Sequence, residues 1–136
     1  MNDEACKAAV RRFNRDVIER GDRAAFDALM LPTFVNRSAP PGTPDGPESM
    51  WNTFENVLRP ALSNLKVTIH DQIAEGGKVT TRKTVTGVHT GTLMGIAATD
   101  QPVSIDVIDI VRIEDGRYAE HWGVNTLPAV LARLKG

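Results

Sequence analysis

Val103-Ser104-Ile105-Asp106-Val107-Ile108-Asp109-Ile110-Val111-Arg112-Ile113 is the strongest strand signal in the chain. Side chains alternate faces along a strand. The odd positions Val103, Ile105, Val107, Asp109, Val111 and Ile113 therefore form one row, with a single carboxylate among β-branched apolar residues. A buried carboxylate must be ion-paired, hydrogen-bonded or protonated. Two readings stand for Asp109: a site group with shifted acidity, or a structural partner of a nearby arginine such as Arg112 or Arg82.

Outward from this stretch, Glu114-Asp115-Gly116 leads to a second strand at about 117–125. Thr126 can cap a short final helix through Leu134. On the N-terminal side, Gly91 to Pro102 is a connection. Before it lie strands Leu65 to Ala74 and Val79 to Thr90, joined by a Glu75-Gly76-Gly77-Lys78 hairpin turn. The first half of the chain is different. Ala9, Phe13 and Val17, widened by Cys6, Val10 and Ile18, predict a helix over 3–20. A second helix is expected at about 22–30, capped by Asp22, and a short strand at Thr33 to Asn36. Residues 38–47 contain four prolines and two glycines and read as an irregular loop. A third helix follows at about 48–59, ended or kinked by Pro60. Helices first and an antiparallel meander second predict an α+β fold in which a curved sheet wraps the helices.

The 136 residues fit one domain, 1–136. Net charge is −1 and no basic stripe is visible, so a nucleic-acid partner is not expected. No apolar run is long enough to span a bilayer, and the charged N-terminal segment does not read as a secretory signal. One cysteine, Cys6, rules out an internal disulfide and makes a reducing cytoplasm the default expectation. His70, His89 and His121 lack metal-site spacing, so no metal is expected. Phosphate-loop and nucleophile-elbow motifs are absent.

Phe34-Val35-Asn36-Arg37-Ser38-Ala39-Pro40-Pro41-Gly42, Gly46-Pro47-Glu48, Thr86-Gly87-Val88-His89-Thr90-Gly91 and Glu114-Asp115-Gly116 through Glu120-His121-Trp122 resemble, in this order, the SnoaL-like polyketide cyclases, or ester cyclases. The likeness covers nearly the whole chain. It implies the nuclear transport factor 2-like fold, a cone of curved, mostly antiparallel sheet around N-terminal helices. It also implies cofactor-independent, aldol-type acid–base chemistry on a small carbonyl-containing substrate in the cone. Such chemistry needs a base with raised pKa, a donor near the developing negative charge, and an apolar pocket. At Gly123 the likeness breaks, because the cyclases carry a carboxylate there.

Asp109 and His121 are the candidate catalytic pair, and His89, Asn36, Arg82 and Trp51 the candidate substrate-binding residues. Each also has a structural reading: packing for His89, His121 and Trp51, loop support for Asn36, a surface ion pair for Arg82. The placement of His121 hinges on the turn. A two-residue Asp115-Gly116 turn pairs Asp109 with Trp122 and turns His121 away. A three-residue Glu114-Asp115-Gly116 turn, with Gly116 left-handed in a bulge, pairs Asp109 with His121. The resemblance favours the three-residue turn, which is the expectation adopted. Ile108 and Ile110, on the even face, also need cover, so a homodimer through the sheet's convex face is expected, with Trp122 or Tyr118 in the contact.

Overall fold

The computed structural model describes residues 2–136; Met1 lies outside the described residues. The first helix forms as α1 (Asp3–Arg12) and runs on as a π-helical segment, Phe13–Glu19. Its first turn is closed by Asn2, whose Oδ1 accepts from the Ala5 N–H at 2.8 Å. The Asp22 side chain caps α2 (Arg23–Leu29) by accepting from the Ala25 N–H. The third helical stretch comprises α3 (Pro47–Asn52), a π-helical segment at Thr53–Leu58, and α4 (Arg59–Ala61), which contains Pro60.

Five strands form one sheet: β1 (Met30–Asn36), β2 (Leu62–Glu75), β3 (Lys78–His89), β4 (Pro102–Glu114) and β5 (Arg117–Asn125). Their spatial order is β1-β5-β4-β3-β2. β1 runs parallel to β5 at one edge and every other pairing is antiparallel. A final helix, α5 (Leu127–Leu134), follows β5. This is the expected α+β architecture, with the helices packed against a curved, mostly antiparallel sheet.

Alternation sets the two faces. On β3 and β4 the odd residues point inward and most are buried. They join two apolar clusters. One gathers Phe13, Val17 and Phe26 with Val79, Val111, Ile113 and Tyr118. The other gathers Ala61, Leu62, Val85, Val103 and Ile105 with Val130 and Leu134 of α5. Fully burying each such side chain contributes about 1.5–3 kcal/mol. The ladder pairs Val79 with Val111 and Val85 with Ile105; between them lie Thr81 opposite Asp109 and Lys83 opposite Val107. A buried polar belt thus separates the two clusters.

The β4–β5 turn corrects the adopted expectation. It is the two-residue Asp115-Gly116 turn, with φ of 52° and 76°, between the paired Glu114 and Arg117. Gly116 is left-handed as expected, but the bulge lies elsewhere. Ile113 pairs with Tyr118 while the next residue, Arg112, pairs with Glu120, which leaves Ala119 as the extra residue. Asp109 therefore stands opposite Gly123, and neither Trp122 nor His121 is its direct partner. The added residue restores His121 to the face of Asp109, one diagonal step away.

Two expectations about packing also resolve. Tyr118 is 3% exposed and stacks on Phe13 with ring centroids 4.2 Å apart, so it belongs to the core and not to an outer contact. On the even face Ile108, Ile110 and Val124 remain exposed, with Trp122 half-buried beside them under the Lys78 ammonium.

Candidate active site

Asp109 is 6% exposed at the middle of the inner face. Its Oδ2 lies 3.4 Å from Lys83 Nζ and 3.4 Å from His121 Nε2. Its Oδ1 is buried without a hydrogen-bond partner. Burial by itself pushes this carboxyl up. The Lys83 charge, then the hydrogen bond and charge of His121, outweigh that and hold it below the ordinary aspartate value. The carboxylate also acts on its neighbours: burial first and then the Asp109 charge raise the Tyr118 phenol well above its usual range.

Lys83, which the sequence reading passed over, is the third member of this buried cluster. Arg82 and Arg112 were the expected partners of Asp109, and both face outward. Arg82 pairs with Asp71 at 3.0 Å and Arg112 with Glu120 at 2.6 Å. Lys83 is buried on the inner face and donates to Asn14 Oδ1 at 2.6 Å. Asn14, in the π-helical segment after α1, in turn donates from Nδ2 to the Val10 carbonyl. A signal existed: Val79, Thr81, Lys83 and Val85 share a strand face, and a lysine in that row needs an anion.

His121 is held from both sides. Asn36 lies beside it in the β1–β5 pairing. Asn36 Oδ1 accepts from the Ser38 N–H at 3.1 Å and lies 2.9 Å from His121 Nδ1, so Nδ1 donates. With Nε2 toward Asp109, both ring nitrogens face oxygen atoms. The His121 side chain, 18% exposed against 7% for Asp109, is the edge of the pair that meets solvent.

Three residues expected at the site lie elsewhere. His89 is fully buried at the far end of β3, roughly 25 Å along the strand from Thr81, the partner of Asp109. There its Nδ1 accepts from the Thr99 N–H at 3.3 Å and lies 2.9 Å from Thr99 Oγ1, which pins the 90–101 connection. Arg82 is on the outer face, as its ion pair shows. Trp51 packs on Phe26 at 5.2 Å between ring centroids, with the Arg23 guanidinium over its ring. These contacts are those of its packing reading. Of the six candidates, Asp109, His121 and Asn36 come together, and Lys83 with Asn14 extends them into one polar chain.

A cavity of about 390 Å³ opens on the sheet, lined by Arg82, Lys83, Thr84, Asp106, Val107 and Ile108 among others. Among the described residues no group of three His, Cys, Asp or Glu side chains could hold a metal ion, and no helix is long and apolar enough to cross a membrane.

Comparison with known proteins agrees with this fold. The model of the SnoaL-like polyketide cyclase family matches residues 8–134. No sequence among curated proteins matches the chain. TsrD from Streptomyces laurentii superposes with a TM-score of 0.86 at 27% identity, covering 100% of this chain and 98% of that one. AclR from Streptomyces galilaeus, a candidate hydroxylase, has a TM-score of 0.85 at 28% identity, covering 98% and 83%. IdmH from Streptomyces antibioticus, a candidate polyketide cyclase, has a TM-score of 0.79 at 24% identity, covering 96% and 99%, and shares the fold.

Proposed function

This chain belongs to the SnoaL-like polyketide cyclase family, and on that footing we propose that Asp109 and His121 perform cofactor-independent, aldol-type acid–base chemistry on a small carbonyl-containing, polyketide-like substrate. The observation that carries this reading is the asymmetry of the Asp109 carboxylate. Oδ2 lies 3.4 Å from both Lys83 Nζ and His121 Nε2, while Oδ1 is buried without a hydrogen-bond partner. An unpartnered carboxylate oxygen has a lone pair open to a proton, while Lys83 and His121 hold the carboxyl below its ordinary value and so temper its strength as a base.

In this reading Oδ1 removes the proton next to a substrate carbonyl. The negative charge then passes from Asp109 to the enolate oxygen. Lys83 and His121, no longer neutralised by a carboxylate, face that oxygen and stabilise it. The enolate carbon adds to a second carbonyl of the same molecule and closes the ring. The resulting alkoxide takes the proton back from Asp109, so the reaction is redox-neutral and consumes no co-reactant. Asn36 keeps the His121 ring in the donating orientation.

Replacing Asp109 by Asn keeps the shape and removes the base. Turnover of a panel of polyketide esters should fall by about 10²–10⁴. Full rate in Asp109→Asn would sink the reading. A second reading has its own support: Asp109 is sealed in an ion pair with Lys83, as a structural carboxylate would be. A binding module of this fold would bind members of the panel in both forms and turn over none. For the assembled protein we propose a homodimer that buries the exposed apolar even face of β4 and β5. The lone, buried Cys6 fits a cytoplasmic setting.

A further inference from the structure

Gly123 stands opposite Asp109 in the β4–β5 ladder. A Cβ placed on it would lie 2.9 Å from His121 Cε1, 3.2 Å from His121 Nε2 and 3.4 Å from Asp109 Cβ. The first separation is closer than real Cβ atoms come. The imidazole therefore lies across the α-carbon of Gly123, in space that any other residue would fill. Backbone conformation does not call for glycine here, because Gly123 is not among the positive-φ residues. A glycine inside a strand sacrifices packing and marks a close approach by another group. In this strand the approaching group is the His121 ring.

We infer that Gly123 is a positioning residue: its missing side chain is the notch that lets His121 fold back along β5 and bring Nε2 to Asp109. The other side of the ring is set by the loop after β1. Gly123 donates its N–H to Ser38 Oγ at 2.7 Å, the Ser38 N–H binds Asn36 Oδ1, and Asn36 Oδ1 takes the His121 Nδ1–H. Glycine, serine, asparagine and histidine thus close a circuit around the imidazole, and a larger residue at 123 opens it. The colliding atom, Cε1, is at the far end of a side chain that can swing. A Gly123→Ala protein therefore folds, with the ring displaced from Asp109.

The catalytic consequence rests on the acid–base reading above; the positioning claim does not. The test uses the full chain with ¹⁵N-labelled histidine. With Gly123 present, Asp109→Asn moves the His121 ring ¹⁵Nε2 signal, because the facing carboxylate is gone. In the Gly123→Ala background the same Asp109→Asn change leaves that signal in place. An Asp109-dependent shift of equal size in both backgrounds overturns the inference. Turnover of a polyketide ester by Gly123→Ala should fall on the order of 10²-fold, mostly in kcat. If the NMR coupling disappears but turnover is unchanged, the positioning role stands and the acid–base reading falls. If Gly123→Ala does not fold, His121→Ala is added to it: recovery of the fold identifies the ring as what the Cβ meets, and no recovery overturns the claim.

Discussion

Lys83 and Asp109 are each almost fully buried, and each justifies the other. Taking a charge out of water costs several kcal/mol, and removing one member of a buried pair leaves that cost uncompensated. Lys83→Met should therefore destabilise the protein by about 3–5 kcal/mol at pH 7, measured by urea denaturation. The pH dependence has a definite sign. In the native chain the folded Asp109 value is below the unfolded one, about 3.9. Asp109 thus contributes stability above that pH, and this is lost as pH falls through the folded value. In Lys83→Met burial keeps its effect and loses the largest charge opposing it, leaving His121 alone against it, so the folded value rises relative to the native chain and acid relieves part of the mutant's deficit. The stability gap between the two proteins should be widest near neutrality and narrow below about pH 4. A gap that stays constant down to pH 3 would show that the pair is not ionised in the folded state.

At the scale of the element, the register of β5 against β4 is set by one extra residue. Tyr118 and Ala119 are both buried, which breaks strand alternation, and the pairing skips Ala119. Without a bulge, the two-residue turn would place Trp122 opposite Asp109 and point His121 outward. Deleting Ala119 is not equivalent to that slip. The pairs on either side, Ile113 with Tyr118 and Arg112 with Glu120, become successive steps of a regular ladder. His121 should still face inward, and its ¹⁵N signal should still respond to Asp109→Asn. The melting temperature should drop, because a buried alanine and a bent segment matched to β1 are lost. Loss of the His121 response on deletion would show that the bulge shapes the site beyond setting its register.

For the whole molecule, the inner face is divided by a polar belt and the outer face is left with exposed apolar side chains. Ile108 is 48% exposed, Val124 70% and Ile73 69%. All three lie on the sheet's outer surface, with Ile108 and Val124 as direct cross-strand partners, and exposed apolar side chains of this kind mark a contact face. A symmetric dimer would bury the same patch on both copies. Sedimentation at micromolar concentration should show a dimer, and Ile108→Lys with Val124→Lys should shift it to monomer. A monomer in the unsubstituted protein at that concentration would refute the interface.

Local patterns determined much of this protein. Helical periodicity, glycine-bearing turns and β-branched alternation were enough for the α+β order, for the Glu75–Lys78 hairpin and for the inward direction of Asp109. These features depend on near neighbours in the chain, and side-chain period is a local property. What stands beside Asp109 was decided by tertiary structure. Alternation assigns a face but not a height along it, so His89 and Asp109 share an inner face yet stand far apart. Height is set by the register of neighbouring strands, and register by turn length and bulges. The bulge at Ala119 brought His121 inward, the β3–β4 ladder set Lys83 beside Asp109, and the packing of the π-helical segment after α1 on the sheet supplied Asn14 to receive the lysine. Each pairs residues distant in sequence, and no local pattern in either partner encodes the meeting.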